Sequence, residues 1–506
     1  MTTTEETDTT PTYWLTRFVL LRLLGAVYAL AFLVAINQLI PLIGEHGLLP
    51  VGNYFDAIRQ SYGSISAGFF KLPSLFWFWH SDLALQTVAW VGFIISLIVI
   101  AGFANAPMMA LLWVLYLSIV HAGQDWYGYG WEIQLTETGF LAIFLCPLLD
   151  MRPFPKRRPP LFIIILFRWL IFRIMLGAGM IKFRGDAVWR NATALYYYFE
   201  TQPIPGPLTR WFHFFPRLLL RMGVWFNWLA ELIAPFFAFW PRKARHVAGI
   251  MMIGLQVFII LSGNLSFLNW LTIVPALACF DDGFLEKILP KTLIAKARAA
   301  EENAEESKPM VITSWIVAGI VGILSIQPVY NILSPDQAMN RSFEPFELVN
   351  TYGAFGSVGQ ERYNVVFEGT MDDTTANKAH WIPYLYKGLP VLLNKRPPQV
   401  APYQLRLDWQ MWFAAMSTAE QYPWTYNLVW KLLHRDDTAL SLFAADPFPG
   451  KSPRFIRASI YKYKFAKPGN PQGLYWTREL LGGWMPVLSA DDPRLQKFLR
   501  YEGWIK

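Results

Sequence analysis

Several long apolar segments, each close to the length that crosses a lipid bilayer, constrain most strongly what this chain can fold into. A membrane-spanning helix needs roughly 20 mostly apolar residues, and only 16% of this chain is charged, against about 25% in soluble domains. The predicted spans are residues 23–43, 83–104, 107–124, 132–149, 161–181, 222–240, 247–263, 265–280 and 310–330. The sequence therefore predicts a multi-span α-helical membrane domain at residues 13–335, with eight or nine spans, after a polar tail at residues 1–12.

Basic residues concentrate in two short loops between the predicted spans, RPFPKRR at residues 152–158 and PRKAR at residues 241–245. Such loops usually face the cytoplasm. The N-terminus is therefore predicted to be cytoplasmic. The chain after about residue 330 is predicted to be extracytoplasmic, in a periplasm or, in a eukaryotic cell, in the lumen of the endoplasmic reticulum. These loops account for the net charge of +8, so we predict a membrane partner and no nucleic acid.

Residues 336–506 follow the last predicted span and carry the patterns of a folded domain outside the membrane. The run YNVVFEG places Tyr363, Val365 and Phe367 on one face of a strand, because side chains alternate along a strand. FIRASIYKYKF also alternates and changes phase near residue 460, as a β-bulge would require. RLDWQMWFAAM repeats apolar residues every three or four positions, which indicates a helix. We therefore predict a mostly β, extracytoplasmic C-terminal domain.

Charged residues inside the predicted spans need a physical explanation. The Glu and Arg residues concerned are Glu132, Glu137, Arg168, Arg173 and Glu231. A charged side chain at the centre of a bilayer costs about 2.5–3.5 kcal/mol by insertion measurements, so such residues usually face the bundle interior and pair with one another. One interpretation is that Arg–Glu pairs fix the helix register. The other is that these side chains line a cavity for a substrate or a lipid, and the residues alone leave both open.

The stretch GAGMIKFRGDAVWR, residues 177–190, marks the outer end of the fifth predicted span. Gly179 and Lys182 lie on one helical face, and the small glycine allows another helix or a ligand to approach closely. We expect Lys182 at the rim of an outward-opening cavity, with Glu132 and Glu137 on the opposite wall. There the lysine would transfer a proton or hold an anionic group. The alternative is an interfacial lysine that extends to the headgroups.

Two sets of candidate site residues follow from this arrangement. The candidate catalytic residues are Lys182, Asp186, Glu132, Glu137 and His213. The candidate residues of a substrate or lipid cavity are Arg168, Arg173, Gly179, Arg184, Trp131, Tyr197, Glu200, Gln202, Asn264 and Asn269. The sequence contains no GxSxG, HExxH, GxGxxG or Walker A motif, and its two cysteines form no CxxC pair. No cofactor or metal site is therefore identified, and a bound lipid or quinone is the ligand that a membrane cavity would suit.

Four long stretches resemble the lipase maturation factor family, in order and across most of the chain. They are FRWLIFRIMLGAGMIKFRGDAVWRNATALYYYFETQPIP at 167–205, NTYGAFGSVGQERYNVVFEGT at 350–370, PYQLRLDWQMWFAAM at 402–416 and DPFPGKSPRFIRASIYKYKF at 446–465. The resemblance implies a multi-span protein with a luminal or extracytoplasmic C-terminal domain, which helps secreted lipases to become folded and active. It also implies that this domain contacts the client lipase, through Asn350, Tyr352, Gly353, Phe355 and Glu361.

A shorter stretch, AGMIKFRGDAVW at residues 178–189, resembles the segment of vitamin K-dependent gamma-carboxylase that carries its catalytic lysine. This resemblance implies that Lys182 is a base acting on a lipid, a quinone or a peptide, although the chain departs from the carboxylase over its whole C-terminal half. Three functions stay open. They are a membrane-anchored maturation factor (a folding or chaperone protein) for secreted lipases or related exoproteins, an integral membrane enzyme that uses Lys182, and a transporter or lipid-binding module.

Overall fold

The computed structural model describes residues 11–373 and 379–506. Of the polar tail predicted at residues 1–12, residues 1–10 lie outside the described residues. From there to residue 333 the chain is mainly helical. The helices are α1 (Trp14–Ile43), α2 (Val51–Tyr62), α3 (Ile65–Lys71), α4 (Asp82–Ala101), α5 (Ala106–Ala122), α6 (Gly130–Leu145), α7 (Leu161–Arg184), α8 (Ala187–Arg190), α9 (Leu195–Thr201), α10 (Thr209–His213), α11 (Arg217–Trp228), α12 (Arg242–Ser262), α13 (Leu268–Ala276), α14 (Asp282–Leu285), α15 (Lys291–Glu302), α16 (Lys308–Leu324) and α17 (Ile326–Leu333).

Six helical segments of the described chain are long and apolar enough to cross a membrane. They are Trp14–Ile43, Asp82–Ala101, Leu161–Arg184, Arg217–Phe239, Arg242–Ser262 and Lys308–Leu333. Two shorter apolar helices, Ala106–Ala122 and Leu268–Cys279, accompany them. This arrangement confirms the predicted multi-span α-helical membrane domain. The span predicted at residues 132–149 corresponds to α6, which has 16 residues, and the number of eight or nine crossings stays a prediction.

The first turn of α1 is held by a carboxylate from far along the chain. The side chain of Asp282 accepts hydrogen bonds from the backbone N–H groups of Trp14 and Leu15, at 2.8 Å each. N–H groups at a helix N-terminus have no partner within the helix, so this carboxylate satisfies them. The buried guanidinium of Arg17 donates to the backbone carbonyl of Arg157 at 2.8 Å. The start of α1 and the basic RPFPKRR loop therefore lie at the same end of the helix bundle.

The strands of the C-terminal domain are β1 (Arg341–Ser342), β2 (Asn350–Thr351), β3 (Arg362–Thr370), β4 (Ile382–Pro383), β5 (Phe455–Phe465) and β6 (Trp476–Leu488), and its helices are α18 (Arg406–Ala414), α19 (Trp424–Leu433), α20 (Asp437–Leu440) and α21 (Pro493–Tyr501). Four of the strands form an antiparallel sheet in the order β4-β3-β5-β6, and β1 pairs with β2 in a separate two-stranded sheet. The mostly β domain is therefore confirmed, as are the helix in RLDWQMWFAAM and the irregularity near residue 460, where the β5–β6 register shifts.

The C-terminal domain packs on the end of the bundle opposite to the basic loop. Gln38, near the end of α1, donates to the carbonyl of Gln404 at 2.7 Å and accepts from the backbone N–H of Arg406 at 3.0 Å. The rings of Trp131 in α6 and Trp409 in α18 pack with their centroids 4.9 Å apart. Buried apolar residues of both regions belong to one continuous core. The two regions therefore share a packed interface, near which most candidate site residues lie.

Candidate functional site

Lys182 is buried in the last turn of α7, at the end of the helix that meets the C-terminal domain. Its Nζ atom donates to Glu231 Oε1 at 2.5 Å and to Asn227 Oδ1 at 3.3 Å. The Asn227 amide in turn donates to the other carboxylate oxygen of Glu231 at 2.9 Å. We call these three side chains the lysine cluster. Within it the ammonium and carboxylate charges compensate each other, as two buried charges must.

Glu231 reaches Lys182 from an irregular part of its helical segment. Beyond α11 the chain continues as a π-helical turn, Leu229–Ile233, and then as a 3-10 turn, Ala234–Phe239. A π-helical turn closes i→i+5 hydrogen bonds in place of i→i+4 bonds, so it changes the direction of the side chains in it. Asn227 and Glu231 both contact the lysine across this irregularity. Such turns occur frequently at functional sites.

Two glycines of α7 allow close approach on both sides of the helix. A methyl group on Gly179 would lie 2.6 Å from Leu232 Cδ2 and 3.0 Å from Glu231 Cβ. A methyl group on Gly177 would lie 2.4 Å from the carbonyl oxygen of Tyr352. These separations are shorter than van der Waals contact. The missing side chains therefore admit the helical segment that carries Glu231 and, beside it, the C-terminal domain.

Glu137 pairs with Arg173 of α7 and does not contact the lysine cluster. The two side chains form a salt bridge between α6 and α7 and are each 1% exposed. Glu137 also accepts hydrogen bonds from the Asn350 backbone N–H at 2.9 Å and the Tyr352 hydroxyl at 2.6 Å, while Arg173 donates to the Asn350 carbonyl at 2.6 Å. The pair is therefore a tie between helices, and the same two side chains hold the C-terminal domain.

Glu132 faces a different cation, Arg406 at the start of α18. Both side chains are fully buried, and Arg406 Nη1 lies 2.9 Å from Glu132 Oε1. The Tyr116 hydroxyl donates to the other carboxylate oxygen, and the guanidinium lies over the Tyr127 ring. The expectation that both carboxylates of α6 form a wall opposite Lys182 therefore does not hold, because each has an arginine of its own.

Three other candidates on α7 and just after it serve as anchors. Arg184 donates to the carbonyl of Ile332 at 2.6 Å, and the carboxylate of Asp186 accepts from the backbone N–H of Val358 at 2.8 Å. Arg168 lies in the other half of α7 and donates to a backbone carbonyl at 2.8 Å. Asp186 was expected to support catalysis by Lys182. Its contact instead fixes the segment that follows β2 in the C-terminal domain.

Glu200 and His213 form a separate contact, which ties α9 and α10 to the sheet. His213 Nε2 lies 3.7 Å from Glu200 Oε2, and the same oxygen accepts from the Phe465 N–H at 2.7 Å. Burial raises the pKa of Glu200 and lowers the pKa of His213. The carbonyl of Gln202 accepts from Arg362, whose pKa burial lowers to about 9. These side chains therefore lie apart from the lysine cluster.

The remaining cavity candidates lie close to the interface. The Asn264 side chain bonds three backbone groups of residues 398–401 at 2.8–2.9 Å. The Trp131 indole donates to a glutamine of the C-terminal domain at 3.2 Å. Asn269 donates to a glutamine of α12 at 2.7 Å and lines the same cavity as the lysine cluster. Tyr197 is half-buried against the aromatic residues around α9. Of these four, Asn269 alone shares a cavity with Lys182.

Two cavities adjoin at the interface between the regions. The smaller, of about 90 Å³, is lined by the lysine cluster. The larger, of about 280 Å³, is lined by the start of α6, by residues 352–357 and by α18. The residues that line both are Ile174, Ala178, Leu265, Leu268, Ala354 and Phe355. Lys182 therefore lines the smaller cavity, and its acidic partner there is Glu231.

The five residues that the resemblance assigns to a client lipase lie in two environments. Asn350 and Tyr352 are buried, at 0% and 3% exposure, and both bond to the buried pair described above. Gly353 and Phe355 line the larger cavity. Glu361 is exposed and pairs with a lysine of β5. The first four therefore face the membrane helices, and of the five Glu361 alone lies where a client could reach it.

Sequence reasoning missed the cations that hold the C-terminal domain, Arg362 and Arg406, and left Glu231 out of the candidate residues. The i,i+4 spacing of Asn227 and Glu231 was a signal, because residues four apart share a helix face. Arg406 has no such signal, since its carboxylate partner lies 274 positions earlier in the chain. The candidate catalytic residues are thus divided among separate contacts and do not surround Lys182.

Comparisons with known proteins agree with this architecture. A family model described as the lipase maturation factor transmembrane domain matches residues 15–287, and one described as the lipase maturation factor C-terminal domain matches residues 348–486. Lipase maturation factor 1 of Bos taurus is 44% identical over 96% of this chain and 90% of its own length. Lipase maturation factor 1 of Homo sapiens is 42% identical over 98% and 91%.

A more distant relative, lipase maturation factor 2 of Homo sapiens, is 28% identical over 97% of this chain and 85% of its own length. No solved structure matches. The similarity to the carboxylase segment stays a prediction. With six apolar helices long enough to span a membrane and two family models in order along the sequence, the chain is an integral membrane protein that belongs to the lipase maturation factor family.

Proposed function

We propose that this protein is a membrane-anchored maturation factor for a secreted lipase or a related exoprotein, and that its C-terminal domain contacts the client. Its relatives named lipase maturation factor 1 match nearly the whole chain and support a role in lipase maturation. The observation that carries the client contact is the open edge of the sheet at β6. A membrane enzyme that uses Lys182 has less support, since the other candidate catalytic residues bond elsewhere.

Strand β6 lies at the edge of the four-stranded sheet, and β5 is its one neighbour there. Leu480 and Leu481 on this strand are 61% and 48% exposed, and Val487 is exposed as well. Leu481 is the extra residue of the register shift between the pairs Tyr461–Leu480 and Ile460–Gly482, so both leucines are exposed at an irregularity of this edge. Soluble proteins usually protect such edges with charges or a covering element. Among its 13 residues β6 carries Arg478, Glu479 and Pro486, which protect part of the edge. The part that suits an apolar partner is therefore the exposed pair Leu480 and Leu481.

The partner that fits this edge is an extended, apolar segment of an incompletely folded chain. An edge strand offers backbone donors and acceptors to an added strand, and pockets or apolar side chains beside it select the partner. Folding intermediates of large proteins expose unpaired strands and apolar surface of this kind. Strand addition at β6 would protect that surface until the client has folded.

The same proposal places the C-terminal domain outside the cytoplasm, where a secreted client passes. It is supported by the position of the basic loops, which lie at the end of the bundle away from this domain. Labelling of intact bacterial spheroplasts that express the chain, with a membrane-impermeant maleimide, tests the orientation. A cysteine introduced by Thr477→Cys on β6 should react, and one introduced by Lys156→Cys in the basic loop should react only after lysis. Labelling of Lys156→Cys in intact spheroplasts would contradict this orientation.

Lysines introduced on the edge test the client contact. In cells that express a secreted triacylglycerol lipase together with the full chain, Leu480→Lys with Leu481→Lys should lower the secreted lipase activity about tenfold, equivalent to ~1.4 kcal/mol of binding. Tyr501→Lys, at an exposed position of α21, is the matched control and should leave lipase activity unchanged. Equal lipase activity with both variants, at equal membrane levels of the chain, would exclude β6 as the client site.

A further inference from the structure

We propose that the two adjoining cavities form one binding site for an uncharged lipid that bears a carbonyl group. The apolar chain would lie in the larger cavity, and the carbonyl oxygen would accept a hydrogen bond from Lys182 in the smaller one. This site is distinct from the β6 edge. The inference goes beyond the maturation role and does not rest on it.

The larger cavity is suited to an apolar chain. Its walls are largely aromatic, and include Tyr129, Trp131, Trp409, Trp412 and Phe413. Tyr129 and Trp131 stack with their ring centroids 4.5 Å apart, so this wall is flat and rigid. An engineered apolar cavity of about 150 Å³ holds a molecule of benzene, and this cavity, at about 280 Å³, is nearly twice that size. Together the two cavities reach the lower end of the range of roughly 300–1,000 Å³ typical of small-molecule sites.

The charges on the walls favour an uncharged ligand. Among the described residues, no Asp, Glu, Lys or Arg lines the larger cavity, and Lys182 and Glu231 are the two that line the smaller one. These two already compensate each other at 2.5 Å. An anionic headgroup would add a buried charge without a partner, which is strongly unfavourable. A free fatty acid therefore fits less well than its uncharged ester.

The lysine cluster retains one donor for such a ligand. An ammonium group carries three protons. Two of those on Lys182 are directed to Glu231 and Asn227, while the carboxylate of Glu231 is bonded on both oxygens. The ring of Trp189, centred 5.1 Å from Nζ, closes one side. A carbonyl oxygen in the small cavity would accept a hydrogen bond from the third N–H group, and the ligand would need no donor of its own there.

Phe355 has the largest side chain of the six residues that line both cavities. Its backbone has a φ of 53°, a left-handed conformation that is strained for a bulky residue. The indole of Trp189 donates to its carbonyl at 2.8 Å, and Tyr198 packs edge-on against its ring at 5.3 Å. Strain that the surroundings hold in place is found at ligand and switch sites. The strained backbone of Phe355 supports a side chain that moves aside when a lipid occupies both cavities.

Photo-cross-linking of the full chain, purified in detergent, tests the site directly. The probe is a monooleoylglycerol analogue with a diazirine on its acyl chain, and it should label the peptides that contain Trp131, Ala178 or Phe355. Unlabelled monoolein should compete. Oleate and the alkyl ether analogue of monoolein, which lacks the carbonyl, should each compete about tenfold more weakly, because one adds a charge and the other loses a hydrogen bond to a charged donor. Equal competition by oleate, or labelling confined to other peptides, would overturn the proposal.

A second competition experiment identifies the class of lipid that supplies the carbonyl group. If decylubiquinone competes better than monoolein, the site is retained and its natural lipid is a quinone. If monoolein competes better, the natural lipid is an acylglycerol. Both outcomes support the shared chemistry, whereas competition by neither compound excludes it.

A matched pair of variants locates the site within the chain. Ala178 lines both cavities, and Ala178→Leu should reduce labelling at least tenfold by filling the space between them. Ala318 lines a separate apolar groove between α7 and α16, so Ala318→Leu should leave the labelling unchanged. Thermal unfolding of each variant shows that the chain is folded. If Ala178→Leu does not fold, the competition by oleate and by the ether still decides, since neither needs a variant. Full labelling of a folded Ala178→Leu protein would refute the site.

Discussion

The inner side of the C-terminal domain, which packs on the membrane helices, differs from its outer edge at β6 in how polar and apolar groups are distributed. On the inner side Arg362 and Arg406 are almost wholly buried and bond to the membrane part of the chain. On the outer edge Leu480 and Leu481 are exposed, and beside them Lys462 of β5 pairs with Glu361, where both side chains are partly open to solvent. Charge is thus buried where the domain is fixed, and apolar surface is exposed where it is free.

This difference affects how the resemblance to the family is interpreted, because a residue that matches the family can serve the attachment of the two regions or the contact with a client. The stretches at 350–370 and 402–416 resemble the family most clearly, and they supply Asn350, Tyr352 and Arg406 to the inner side. A substitution there would alter the attachment of the two regions before it altered any client contact. Loss of function in such a variant therefore does not identify a client-binding residue, whereas loss of function at β6 does.

The largest expected effect comes from removing one partner of the buried ion pair. Arg406→Met leaves Glu132 buried without a cation and should lower the free energy of unfolding by about 3–5 kcal/mol. The measurement is thermal or denaturant unfolding of the full chain in detergent. The double variant Glu132→Leu with Arg406→Met should recover most of the loss, because it removes the uncompensated charge as well. A single variant as stable as the parent would show that this pair does not fix the inner side.

A pH dependence on the inner side should follow from Asp408. Its carboxylate accepts from the N–H groups of Gly388 and Leu389, but burial raises its pKa to about 6 from an unfolded value of 3.8. Between about pH 4 and pH 6 the Asp408 carboxyl is protonated in the folded state and ionised in the unfolded state. The free energy of unfolding is therefore highest below about pH 4 and falls by roughly 3 kcal/mol as the pH rises to about 6.

The free energy of unfolding, measured at several pH values between 4 and 7 for the parent and for Asp408→Asn, checks this dependence. Because asparagine does not titrate, the difference between the two proteins should change over this interval and stay constant above it. A difference that is the same at pH 4 and pH 7 would contradict the raised pKa.

A smaller effect should distinguish a buried tyrosine hydroxyl from an exposed one. Tyr352→Phe removes the hydrogen bond to Glu137 at 2.6 Å and should cost about 1–3 kcal/mol, because a buried charged acceptor loses a partner. Tyr363→Phe removes a similar bond to Glu361 at the surface and is the control, with little expected change. Unfolding midpoints of the two variants compare the sides directly. Equal unfolding midpoints for the two variants would contradict the expected difference between the inner side and the surface.

The smallest effect is expected at the exposed pair itself. Glu361→Gln, which breaks the contact with Lys462, should leave the unfolding midpoint unchanged, since solvent screens exposed charges. The relevant readout is secreted lipase activity, because Glu361 is the residue of the implied client set that a client could reach. Unchanged lipase activity would leave β6 alone as the client surface on this domain.

Sequence patterns were sufficient for the elements that depend on local chemistry. Apolar run length gave the membrane helices, alternation gave β3 and β5, and the phase change near residue 460 gave the irregularity between β5 and β6. The pairing of an arginine with a glutamate inside the bundle was one of the two interpretations that the sequence left open, and Arg173 with Glu137 is such a pair.

The partners of Lys182 could not be derived in the same way. The i,i+4 spacing of Asn227 and Glu231 indicates a shared helix face, but no local pattern shows that this face meets Lys182, and the π-helical turn at Glu231 changes the side-chain directions of a regular helix. The positions of Asn350 and Tyr352 depend on how a separate region docks on the helices, which no local pattern encodes. Burial of these residues, and the pairing of Glu132 with Arg406, are properties of the assembled interface.

The bond between Asp282 and the first turn of α1 has a consequence for synthesis of the chain. Helix α1 leaves the ribosome with N–H groups whose acceptor lies 268 residues further along the chain. Until that acceptor emerges, these groups depend on water or headgroups. The first turn of α1 is therefore completed only after translation has passed α14.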